Sequence, residues 1–178
     1  MIPYGSATPA ASGGAAARPA GLGRRWCALM YEAFLVSALL LIAGFAALPL
    51  IGPHLAAAGL SVRQLYLLPT ASSAFLFLYY VVVAGVYCIG FWSNGRRTLA
   101  MKTWGLGLAA SGGGPLDIRQ ATKRYLAAWI GPAAGFAAYG AIGVWGLAML
   151  PLNYYWAWVD SERQFLHDRI AGTRVILD

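Results

Sequence analysis

The chain has 178 residues, of which 60% are hydrophobic and 11% charged, with a mean hydropathy of +0.61. A water-soluble domain carries about 25% charged residues, so the composition excludes an ordinary soluble enzyme or binding domain and indicates one integral membrane domain. The net charge of +7 does not indicate nucleic acid. The basic residues flank apolar runs, as the positive-inside rule requires, so the partner expected is the lipid bilayer and no nucleic-acid partner is expected.

Residues 1–23 are rich in Ala, Gly, Pro and Ser. They lack the apolar content to offset ordering entropy and are expected to form a disordered tail preceding a transmembrane domain over residues 24–178. The apolar run that follows is longer than a signal-peptide core and has no small-residue cleavage site after it, so it is read as a span. This first helix is expected over residues 24–50, long enough to cross a hydrocarbon core of about 30 Å. Pro49, Gly52 and Pro53 are expected to end it. The loop over residues 51–64 carries His54 and Arg63, with His54 read as solvated rather than a ligand. A second full span is expected over residues 65–92, with Pro69 in its first turn and Tyr66, Tyr79, Tyr80, Tyr87 and Trp92 supplying interface anchors. Cys27 and Cys88 lie within the two apolar runs and read as small packing residues. A bridge between them is not expected at a reducing face.

Residues 93–124 are polar and basic. Ser111-Gly-Gly-Gly-Pro115 signals a turn or hairpin, with short strands or interfacial segments flanking it. Asp117 is placed to cap a helix beginning near Ile118. A final apolar block over residues 125–159 is long for one span and short for two. Gly131-Pro132 and Pro151 are candidate breaks, and two small-residue stripes (Ala133, Ala137, Ala141 and Gly131, Gly135) permit close helix contact. The aromatic run Asn153–Trp158 suits a membrane interface.

The expected fold is therefore all-α: two full transmembrane helices, an interfacial loop, and a C-terminal apolar helical hairpin that turns near Gly140 to Gly146. Three spans are the alternative. Nine basic residues precede helix 1 or lie in the second loop, against Arg63 alone in the first loop, which puts the N-terminus in the cytoplasm. Arg163, Arg169 and Arg174 favour a cytoplasmic C-terminus too. Matching spacings, Leu99-x-x-Lys102-x-x-Gly105 and Leu166-x-x-Arg169-x-x-Gly172, fit two similar segments on one face.

Glu32 is the one acid in the first apolar run, where a charge costs about 2.5–3.5 kcal/mol on insertion scales. Arg25 precedes it by seven residues, on the same helix face about 10 Å away. With a stretch reading NGRRTLAMKTW (94–104, including Arg96, Thr98, Leu99 and Lys102) and a closing HDRIAGTRV (167–175, including His167, Asp168, Arg169, Gly172 and Thr173), the chain resembles the RDD family of small bacterial membrane proteins. The family's hallmarks are a basic residue opening the first helix, an acid two turns on, a GQTLGMK-like stretch and an HDRxAGTxV-like close. Here Glu32 replaces the usual aspartate, and Ala100 a usual glycine. The resemblance implies an inner-membrane location and a transport role.

A four-helix topology brings Arg25, Glu32 and Asp168 to one cytoplasmic-side cluster. It serves either as a charged clamp fixing the bundle or as a binding site for a cation or proton in a transport path, in which case a pore would need a homo-oligomer. A non-catalytic membrane scaffold or assembly factor is the competing function. No histidine stands at a suggestive spacing from a serine, and no region holds a metal set or a phosphate loop. No enzymatic activity, cofactor or metal is expected.

Overall fold

The first apolar run forms helix α1 (Leu22–Ala57), seen in a computed structural model that describes residues 19–59, 61 and 70–177. At 36 residues it is about 54 Å long, well beyond the bilayer core. The helix does not stop at Pro49 and Pro53 as expected but continues through both. The prolines are four apart, both on the exposed side. Ala47, Ile51 and Leu55, on the opposite side, pack with Leu76 of helix α2 (Thr70–Trp92). That seam holds the helix through two missing backbone donors, which membrane helices tolerate. His54 consequently lies in the helix, exposed, rather than in a loop. Further up the seam, the Tyr79 hydroxyl donates to the Ala43 carbonyl at 3.1 Å. Cys27 and Cys88 are both free thiols.

Residues 19–23, expected in the N-terminal tail, belong to the fold. Pro19 bridges Ile176, Ala20 is buried and donates its N–H to Val175, and Leu22 and Gly23 already belong to α1. Residues 1–18 and 62–69, with Arg63, Tyr66 and Pro69, lie outside the described residues.

After α2 the chain makes a short helix α3 (Leu99–Thr103) and strand β1 (Leu106–Ala110). The turn at Ser111–Gly114 does not make a hairpin with the segment that follows it. β1 pairs antiparallel with β2 (Thr173–Leu177), Leu106 opposite Leu177 and Ala110 opposite Thr173.

Asp117 caps helix α4 (Ile118–Ala128) through a full capping box with Gln120. Trp129 breaks α4 from α5 (Ile130–Ile142). Pro132 has no N–H for the Ala128 carbonyl four residues back. Asn153 supplies the missing donor, its Nδ2 lying 2.6 Å from that oxygen. At Gly143 (φ 66°) the chain reverses through a 3-10 turn (Gly143–Met149) and returns against α5 into α6 (Leu152–Val159). The expected hairpin is thus present, and its contact uses one stripe only. Gly131 and Gly135 face Leu150 and Asn153, and Gly146 lies directly on the Ala138 backbone, whereas Ala133, Ala137 and Ala141 are exposed.

The two matching sequence spacings have the same three-dimensional meaning. Each is a short helix, α3 or α7 (Leu166–Ala171), closed by a left-handed glycine, Gly105 (φ 60°) or Gly172 (φ 63°), that turns the chain into a strand. Only glycine takes that conformation without strain.

The architecture is an all-α membrane fold with one two-stranded sheet among the described residues. Three helical stretches among the described residues are long and apolar enough to cross a membrane: Leu22–Ala57, Ser72–Trp92 and Ile118–Met149, the last interrupted at Trp129 and at Gly143. The start of α1, the α2–α4 connection and the tail all meet at one end of the bundle.

Candidate functional site

That end is held by buried charge. Asp168, in the first turn of α7, is fully buried. Its Oδ1 forms an ion pair with Arg124 of α4, and the same Arg124 Nη1 donates to Thr173 Oγ1 at 2.9 Å. The Thr173 hydroxyl donates in turn to the Asp168 carbonyl at 3.4 Å. The Arg124 guanidinium also lies 5.0 Å from the Trp92 ring centroid, a cation–π distance. The closing HDRIAGT segment therefore supplies an ion-pair partner, a left-handed helix stop and a hydroxyl bridge within a few residues.

Arg25 does not pair with Glu32 or with Asp168. Its guanidinium is buried and donates to two tail carbonyls, Arg163 at 3.0 Å and Val175 at 3.4 Å. Glu32 instead meets α3. Its Oε2 accepts from the Thr98 hydroxyl at 2.6 Å, while Thr98 Oγ1 accepts from Met101 N–H at 3.2 Å and so caps α3. One buried hydroxyl thus joins the α1 carboxylate to the N-terminus of a helix. Leu99, Arg96 and Lys102 are exposed, and Arg169 makes surface pairs with Asp160 and Glu162 at 3.5 and 3.4 Å.

Arg25, Glu32, Arg124 and His167 line one cavity of about 120 Å³, walled by Trp92, Tyr154, Phe165 and Met101. The space is large enough for several water-sized groups. Five lining side chains carry a buried polar atom with no hydrogen-bond partner in the protein: Arg25 Nε, Glu32 Oε1, Trp92 Nε1, Arg124 Nε and His167 Nδ1. Asp168 Oδ2, on the carboxylate paired with Arg124, is also unpartnered but does not line the cavity. Native interiors leave few such atoms, so their concentration around one cavity is chemically significant. Together they offer donors and acceptors to a polar guest. His167 Nε2 stands 3.5 Å from Asp168 Oδ1. Burial lowers the His167 pKa to about 4, the Asp168 carboxylate opposing the shift and the Arg124 guanidinium adding to it. The imidazole is therefore neutral near pH 7.

Arg25, Glu32 and Asp168 thus converge on one region, but through other partners. Arg124, the counter-ion of Asp168, is missing from the cluster expected of the sequence. A signal for it exists. Ala121, Arg124, Tyr125 and Ala128 recur at helical spacing, which places the arginine on the apolar face of α4.

A helical membrane architecture whose polar end is latched by buried arginines defines a class of small multi-pass membrane protein. Within that class, the RDD family model matches residues 19–172, and the chain belongs to the RDD family. No curated protein and no solved structure matches it.

Proposed function

We propose that the protein is a non-catalytic, multi-pass protein of the bacterial cytoplasmic membrane that binds a small polar species in this cavity, as part of moving it or helping to move it across the bilayer. The class of guest is a proton, a cation or a small solute, and Glu32 is the group that meets it. One observation carries the proposal: buried, unpartnered polar atoms of Arg25, Glu32, Trp92, Arg124 and His167 line one cavity of about 120 Å³, with the Tyr87 hydroxyl near the Glu32 carboxylate. Ionisable groups kept at membrane depth are costly and mark pathways. With so few spans, passage through the bilayer would require a homo-oligomer. The positive-inside bias supports a cytoplasmic location for the charged end and for both termini.

Glu32→Gln tests this. The variant keeps an acceptor for Thr98 and loses the charge, so it should assemble normally and lose solute- or ion-dependent flux in reconstituted vesicles. Wild-type flux in the variant would refute a role for Glu32 in transport.

A second reading is favoured by a different observation. The Arg124–Asp168 pair is deeply buried and tied to Thr173, as a clamp would be in a scaffold or assembly factor. Under that reading Glu32→Gln destabilises the protein, and neither form supports flux.

A further inference from the structure

A second concavity, of about 600 Å³, runs along the outside of the bundle between α2 and α4 and shares no residue with the polar cavity. Its walls are apolar and one end is basic. We propose that this groove seats the acyl chain of one anionic phospholipid, whose phosphate meets the guanidinium of Arg96.

The walls call for a hydrocarbon occupant. Val82, Val86, Ile118 and Leu126 line the groove and are 53, 70, 62 and 62% exposed. The groove has depth because α2 places glycines on this face. The Tyr125 ring packs onto Gly85, where a Cβ would come within 3.1 Å of it, and its hydroxyl donates to the Val81 carbonyl at 2.6 Å. Gly90, nearer the polar end, has nothing within 4 Å of a Cβ position, so its missing side chain leaves open space. From Val81 to Ser93 the groove follows α2 for about 18 Å. That is close to one leaflet, half of a hydrocarbon core of about 30 Å.

Arg96 gives the groove its charge preference. It lies where the groove reaches the charged end of the bundle, it is exposed, and it has no carboxylate partner among the described residues. The nearest acid in sequence after it, Asp117, directs one carboxylate oxygen to Gln120 N–H at 2.6 Å in the capping box of α4. A guanidinium at the headgroup level above an apolar slot complements a phosphodiester carrying a net negative charge better than a zwitterionic one.

The test uses the full chain, purified in detergent and exposed to vesicles of equal parts phosphatidylglycerol and acyl-matched phosphatidylcholine, with retained lipid counted by native mass spectrometry. One phosphatidylglycerol per chain should be retained in preference to phosphatidylcholine. Arg96→Ala should lower that retention about fivefold, while Arg119→Ala, outside the groove, should leave it unchanged. Gly90→Leu should fill the slot and displace both lipids; Leu126→Trp repeats the test from the α4 wall should Gly90→Leu lose helicity. Equal retention of the two lipids in the wild type would overturn the charge preference. Undiminished phosphatidylglycerol in both slot-filling variants would overturn the site. So would loss of a chain dimer, rather than of lipid, on filling the slot, since the occupant would then be a second copy.

Discussion

Arg124 and Asp168 are each almost fully withdrawn from solvent, and in such a pair the value of each charge depends on the other. Removing one partner strands the other, a loss of about 3–5 kcal/mol. Asp168→Ala should therefore lower thermal stability in detergent by that order. Replacing both residues, Arg124→Met with Asp168→Leu, should recover much of the loss, because no unpaired charge remains. If the single and double variants unfold at the same temperature, the pair is not the latch. His167 adds a pH dependence to the same region. Its pKa is about 4 in the folded chain against about 6.5 when exposed, so between these values the unfolded chain binds the extra proton. This contribution to stability should hold above about pH 6.5 and fall as pH drops toward 4. Thermal melts of wild type and His167→Gln across that window would check it, the variant giving the flatter profile. In the sequence only Glu32 stands out as a charge in an apolar run; Arg25 and Asp168 join it through the family-like motifs and the four-helix topology. The sequence did not reveal their partners, since Arg25 bonds to main-chain carbonyls and Glu32 to a hydroxyl, neither of which leaves a charge pattern to read.

Among the elements, the helices were legible where apolar length decides them, and less so where packing overrides a local rule. Pro49 and Pro53 signal a helix end in isolation, yet the Ile51–Leu55–Leu76 seam carries α1 past both. The β1–β2 pair was beyond reach for another reason. Leu108 at the centre of one strand faces Val175 of the other, with all of α4, α5, α6 and α7 between them in the chain. Strands of five residues leave too little alternation to reveal such a distant partner. Two element-level substitutions follow from the packing. Thr98→Ala removes both the α3 cap and the donor to Glu32 and should cost about 2–4 kcal/mol, whereas Thr98→Ser should retain most of the stability in the same melts. Gly146→Ala sets a methyl group against the Ala138 backbone and should open the hairpin, losing about 1–3 kcal/mol and exposing the 3-10 turn to limited proteolysis. Resistance equal to wild type would show that the turn yields without strain.

For the whole molecule, the paired strands require the α2–α4 connection and the C-terminal segment to face the same compartment. Ser111→Cys and Ser161→Cys, each introduced into a chain lacking Cys27 and Cys88, should react with a membrane-impermeant maleimide from the same side, the cytoplasmic one. Labelling from opposite sides would contradict the arrangement.

The latch also has an order in time. Arg25 and Arg124 are synthesised well before the groups that engage them, Arg163 and Val175 for the first and Asp168 and Thr173 for the second. Until the tail is made, both guanidiniums lack these partners, and under the proposed cytoplasmic orientation an uncompensated arginine would resist translocation. The tail then closes over both side chains in different ways: Asp168 neutralises Arg124, whereas Arg25 keeps its charge and hands its N–H groups to the Arg163 and Val175 carbonyls.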